Sequence, residues 1–289
     1  MASSGRRETW RLSETTGRRP LTPAVRPRNC MAVNIIFKNK EAKKKESLVK
    51  AINDLMAISC DRLCIFFATE DNQNRPDWKN EYDREYDLQG FYANTEQEGI
   101  PSPWPDEINC ILGAFYEHFI WISKRICESE DINFAWVYSH ELQHLNQSLK
   151  NPYLLILAKL IEYLKNEIAA IDIPTEFECE GKAKQIVVRI FGEGKCISYL
   201  NEMRAGSIYN EARYSRLLQL NISPGYDVER EIQRTICVNI KTIKEIQKQR
   251  QNSASTNWNI DIDKLCRCKN PHDAIMSSVT KMSYNDDTF

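Results

Sequence analysis

The chain has 289 residues, 42% of them hydrophobic, enough to fill one large or two small cores. A formal net charge of -1 gives no electrostatic ground for expecting nucleic acid or an anionic membrane as partner. The most apolar stretch, Tyr153 to Leu164, is interrupted by Lys159 and Glu162 and is too short to span a bilayer, so a soluble cytoplasmic protein is expected.

Residues 1-30 carry seven arginines, several prolines and few clustered apolar residues, the makeup of a disordered basic tail that cannot offset its ordering entropy. A folded domain is expected over 31-252. Leu48, Val49, Ile52, Leu55 and Met56 share one helical face, and Arg62 to Ala68 reads as a buried strand. A further strand is expected over Leu88 to Ala93, and the prolines at 101, 103 and 105 mark a loop. Two β-prone runs, Cys110 to Tyr116 and Phe119 to Ser123, flank Glu117 and His118 as a hairpin or one bent strand, with His118 at an exposed turn.

The next stretch carries the chemistry. His140-Glu141-Leu142-Gln143-His144 is a His-Glu-x-x-His motif, and helical spacing of four places both imidazoles on one face with Glu141 beside them. Ala135, Tyr138, Leu142, Leu145 and Leu149 recur at spacings of three and four, an apolar stripe that turns the motif toward a cleft. The motif helix should run from about Asn133 to Asn151, stopped by Pro152, and a second, buried helix should follow from Pro152 to about Ala170.

Two histidines leave a catalytic zinc one protein ligand short. Glu176, Glu178 and Glu180 are the candidates. Thr175 and Glu178 match a capping box, which gives Glu178 a local role. Glu176 and Glu180 share a face with Cys179, Ala183, Val187 and Ile190, where a carboxylate needs a cation or hydrogen-bond donors. Glu176 is the expected metal ligand, and Glu180 is expected to hydrogen-bond a ligating histidine or hold the geometry.

His140-Glu141-Leu142-Gln143-His144, followed by this Glu-rich helix start with the small Ala183, resembles the zincin metallopeptidases of the gluzincin type. The block from Ile120-Trp121-Ile122-Ser123 to Ala183 is similar, more narrowly, to the ImmA/IrrE-type peptidases, with Cys179, Glu180, Lys182 and Gln143 as departures from their pattern. The resemblance implies an α+β zincin-like metallopeptidase domain: a short twisted β-sheet packed on a mainly helical layer that carries the HExxH active-site helix. It implies zinc held by His140, His144 and Glu176, with Glu141 as general base, acting on a protein or peptide substrate. It also implies a strand beside the active helix that pairs with extended peptide, for which Phe119 to Ser123 is the candidate. Tyr199, Arg204, Tyr209, Arg213 and Tyr214 are candidates for stabilising an oxyanion. A zincin-fold regulatory or binding module with weak or no catalysis is the alternative.

Gly192-Glu193-Gly194 should end the third-ligand helix, with helical pieces over Ile197 to Leu220. Ile232, Ile236, Ile240 and Ile243 mark one face of a long helix ending near Asn252, expected to pack on its own domain. Residues 253-289 read as a polar extension anchored by Trp258, Ile260 and Leu265, with a mobile end. The ten cysteines are expected to be mostly reduced core thiols, because no paired Cys-x-x-Cys spacing occurs and no secretory signal precedes them.

Overall fold

Period-2 alternation builds a sheet covered on both faces. Strand β2 (Leu63–Phe67) sends Leu63, Ile65 and Phe67 toward the helices and Cys64 and Phe66 to the opposite side. It lies parallel to both β1 (Asn34–Phe37) and β4 (His118–Ile122), while β3 (Gly90–Asn94) pairs antiparallel with β4. The order is β1-β2-β4-β3, a small mixed sheet in an otherwise helical α+β protein. These elements belong to a computed structural model that describes residues 34–69, 89–94, 116–164, 168–205, 208–251 and 258–281. The basic tail, the proline loop and residues 110–115 of the expected hairpin lie outside the described residues.

Two expectations about β4 are corrected. His118 is not at an exposed turn: it is the first residue of β4, buried, with Nδ1 2.8 Å from the Tyr92 hydroxyl. Phe119 to Ile122 cannot take an added peptide strand, because β4 is hydrogen-bonded on one side to β2 and on the other to β3.

On the helical side of the sheet, α1 (Lys40–Lys44) is capped by Asn39, and α2 (Glu46–Met56) buries Val49, Ile52 and Met56. After the short α3 (Lys124–Cys127) comes the motif helix α4 (Asp131–Lys150), which starts two residues earlier than expected. Ala135, Tyr138, Leu142 and Leu145 of the expected stripe are fully buried, but Leu149 is 46% exposed. Asn151 is extended ahead of Pro152, as that proline requires. The following helix α5 (Leu154–Glu162) is shorter than expected and is followed by a 3-10 turn at Ala170–Asp172.

The glutamate-bearing helix α6 (Pro174–Phe191) packs along α4. No capping box forms at its start. Pro174 occupies the first helical position and Ile173 is the N-cap, so Thr175 and Glu178 sit two positions too deep to cap. Gly192, at φ +89°, separates α6 from α7 (Glu193–Arg204), and α8 (Ile208–Gln219) lies against α7. Lys184 of α6 donates at 2.8 Å to the carbonyls of Leu217, Leu218 and Leu220, closing the C-terminal end of α8.

The expected long C-terminal helix is two helices, α9 (Val228–Val238) and α10 (Ile240–Gln251), broken at Asn239. Ile232, Ile236 and Ile243 are fully buried in a second core shared with α5. The described part of the polar extension joins this core through α11 (Ile262–Arg267), α12 (Pro271–Ser278) and the antiparallel pair β5 (Trp258–Ile260) and β6 (Val279–Lys281). A disulfide links Cys237 to Cys266, whereas the other six described cysteines are thiols. The spacing of 29 residues gave no sequence signal for that bond. Buried Glu229 of α9 accepts from Asn151 Nδ2 at 2.7 Å and meets His272 Nδ1 at 2.8 Å, joining the end of α4 to α12. Among the described residues no helix is long and apolar enough to cross a membrane.

Candidate metal centre

The α4–α6 contact brings together the residues singled out by their spacing. The two oxygens of Glu176 divide between the histidines, one 3.2 Å from His140 Nε2 and the other 3.3 Å from His144 Nε2. The imidazole centroids are 4.9 Å apart and nearly edge to face. Glu141 is buried beside them, and β3 comes so close that a Cβ on Gly90 would lie 2.8 Å from Glu141 Cγ and Oε1. Gly90 therefore permits an approach that any side chain would obstruct.

The far side of each ring also meets an acceptor. His144 Nδ1 lies 3.1 Å from Gln147 Oε1, and His140 Nδ1 lies 3.8 Å from Glu180 Oε2, an ionic contact beyond hydrogen-bond length. Glu180, 3% exposed, is itself gripped by Trp136 Nε1 at 2.6 Å and by Arg213 at 2.7 Å. Glu180 thus lies behind His140 without a hydrogen bond to it, and sequence spacing did not reveal Trp136 and Arg213 as its partners. Of the five oxyanion candidates, Arg213 reaches this cluster, while the Tyr199 hydroxyl donates to Asn133. The side chain of Tyr209 lies outside the described residues.

The charged groups of the site shift one another strongly. Burial alone would lower His140, but Glu176 and Glu180 outweigh it and raise its pKa well above the ordinary imidazole value. His144 is raised in the same way, against burial, chiefly by Glu176. Burial would raise Glu176, yet the two histidines hold it well below the usual carboxylate range. Glu141, by contrast, is pushed up, mainly by burial. Glu176 thus faces two imidazoles whose positive form it favours, a place where a cation shared by the two Nε2 atoms and the carboxylate would also be balanced. Two imidazoles and a carboxylate are, in kind, the donor set of a catalytic zinc site, although each Glu176 oxygen lies near a different histidine.

Among the described residues, the set whose ligand atoms all lie mutually close is a different one. His140, His144 and Cys179 offer ligand atoms within 4.8 Å of one another, with Cys179 Sγ 3.4 Å from Nδ1 of His144. Cys179 therefore approaches His144 at the nitrogen turned away from Glu176. Burial, aided by the surrounding carboxylates, pushes its thiol well up, which opposes the thiolate form that binds metals.

Glu178 leaves its expected capping role and accepts from Gln147 Nε2 at 2.8 Å. Tyr92 of β3 stacks on His144 at 6.5 Å and closes that side of the site. Neither contact carried a local sequence signal. Comparison with known proteins finds no family model, no curated protein and no solved structure that matches this chain.

Proposed function

We propose that this chain is a zinc-dependent metallopeptidase with a zincin-like domain, holding its metal through His140, His144 and Glu176 and hydrolysing peptide bonds in a protein or peptide. The observation that carries the reading is the division of one carboxylate between two Nε2 atoms, at 3.2 and 3.3 Å, beside a buried glutamate from the same helix turn. Zinc bound by these three residues supplies a Lewis acid for the scissile carbonyl and eases deprotonation of water.

The remaining steps belong to the chain. Glu141, its basicity raised by burial, accepts a proton from water as the oxygen attacks the carbonyl carbon, then returns that proton to the amine as the C–N bond breaks. Glu180 lies behind His140 and opposes its rotation, itself oriented by Trp136 and Arg213. Gly90 and Tyr92 bring β3 against Glu141 and His144, so this strand forms one wall of the site.

The test is metal analysis of the full-length chain together with cleavage of a mixed peptide library by the native protein and by Glu141→Gln. Native protein should carry zinc, and the variant should keep the zinc while losing about 10²- to 10⁴-fold in rate. A chain that holds no zinc, or a variant that cleaves as well as the native protein, would leave the regulatory or binding module as the reading.

A further inference from the structure

We infer that Gln147 is a positioning residue that fixes which nitrogen of His144 faces the metal; the inference rests on the metal site proposed above. Gln147 is 1% exposed and lies one turn beyond His144 on the motif helix. Its Nε2 donates to the main-chain carbonyl of Thr175 at 3.0 Å and to the Glu178 carboxylate at 2.8 Å. Both of those partners are acceptors only, so the two amide protons are committed to them. The reversed amide would set its oxygen against two other oxygens in a buried place, which is strongly disfavoured.

The carboxamide therefore has one permitted orientation, with Oε1 directed at His144 Nδ1 at 3.1 Å. An oxygen there requires a proton on Nδ1. In a neutral imidazole that leaves the lone pair on Nε2, the nitrogen that faces Glu176 at 3.3 Å. Glu178 and Thr175, on the helix that provides the third ligand, thus choose the ring tautomer of a ligand on the other helix. Packing α4 on α6 assembles the donor set and selects its chemistry in one step. Cys179 Sγ, 3.4 Å from the same Nδ1, is left as a weak second acceptor for that proton.

The test is ¹⁵N NMR of the full-length chain labelled at its histidine side chains, first metal-free at a pH where the imidazoles are neutral, then with zinc alone. Native protein should show His144 protonated at Nδ1 in both samples and zinc coordinated through Nε2. Gln147→Leu should shift the metal-free ring toward the Nε2-protonated tautomer and weaken zinc binding about 10- to 100-fold. Glu178→Gln, which keeps an oxygen for the Gln147 amide, should stay close to native on both readouts. Should Gln147→Leu fail to fold, Glu178→Ala releases one amide proton without opening a hole in the core, and it should move both readouts in the same direction. An unchanged tautomer in the folded variants, or zinc bound through His144 Nδ1, overturns the inference. A native tautomer and native zinc affinity without peptide cleavage overturns the proposed function and leaves the inference standing.

Discussion

Replacing Glu180 by glutamine removes a charge held by three side chains while keeping its shape. The carboxylate is 3% exposed, bonded to Trp136 and Arg213 and 3.8 Å from His140 Nδ1. Burial would raise its pKa, but His140 first, then Arg213 and Trp136, hold it down to about 2, against an ordinary 4.5. A depressed carboxylate contributes stability that is present above its unfolded pKa and is lost as pH falls through the folded value. The displacement corresponds to about 3 kcal/mol near neutral pH, trimmed somewhat because Arg213 is half exposed and screened, and to roughly half that near pH 3. The raised pKa of His140 is partly the same interaction seen from the other partner, so it adds nothing further. Urea denaturation of the metal-free native and Glu180→Gln chains should therefore show a gap of about 2–3 kcal/mol near pH 7 that narrows steadily on acidification. A gap that stays constant with pH, or none near neutrality, would refute the assignment of a charged, clamped Glu180.

Glu176→Ala should weaken zinc binding by more than the 10- to 100-fold typical of outer partners, whereas Cys179→Ala should leave it near native, as read by chelator competition. The reverse ranking would transfer the third-ligand role to Cys179. Gly90→Ala should press a methyl group on Glu141 and on Val137 Cγ1, 2.9 Å from the built Cβ, costing about 1–3 kcal/mol in stability. Its turnover should fall by as much as about 100-fold through displacement of Glu141, and native-like turnover would show that β3 does not constrain that residue.

Local periodicity made the strongest features legible in the sequence. The motif helix, the buried strand Leu63–Phe67 and the carboxylate-bearing face of α6 each follow from residues a few positions apart. What spacing left out depends on pairing across the chain. Arg213 reaches Glu180 from 33 residues away, Tyr92 reaches His118 from 26, and β4 is interior because β3 hydrogen-bonds on its far side. Glu178 was misread for a different reason. Its sequence fits a cap, but Pro174 starts the helix early and leaves the carboxylate free to receive Gln147. Asn239, whose side chain bonds the Thr235 carbonyl at 2.9 Å, separates two helices whose isoleucines keep their periodicity across the break, so periodicity gave no sign of it.

The Glu229 junction gives the far end of the chain a hold on its centre. Cutting away α12 would strip His272 from a carboxylate that is only 6% exposed and leave it the Asn151 amide and the Lys150 ammonium, at the foot of the motif helix, as partners. A premature stop codon between Arg213 and His272 would then register as a defect around His140 and His144, though every residue of that cluster were still encoded.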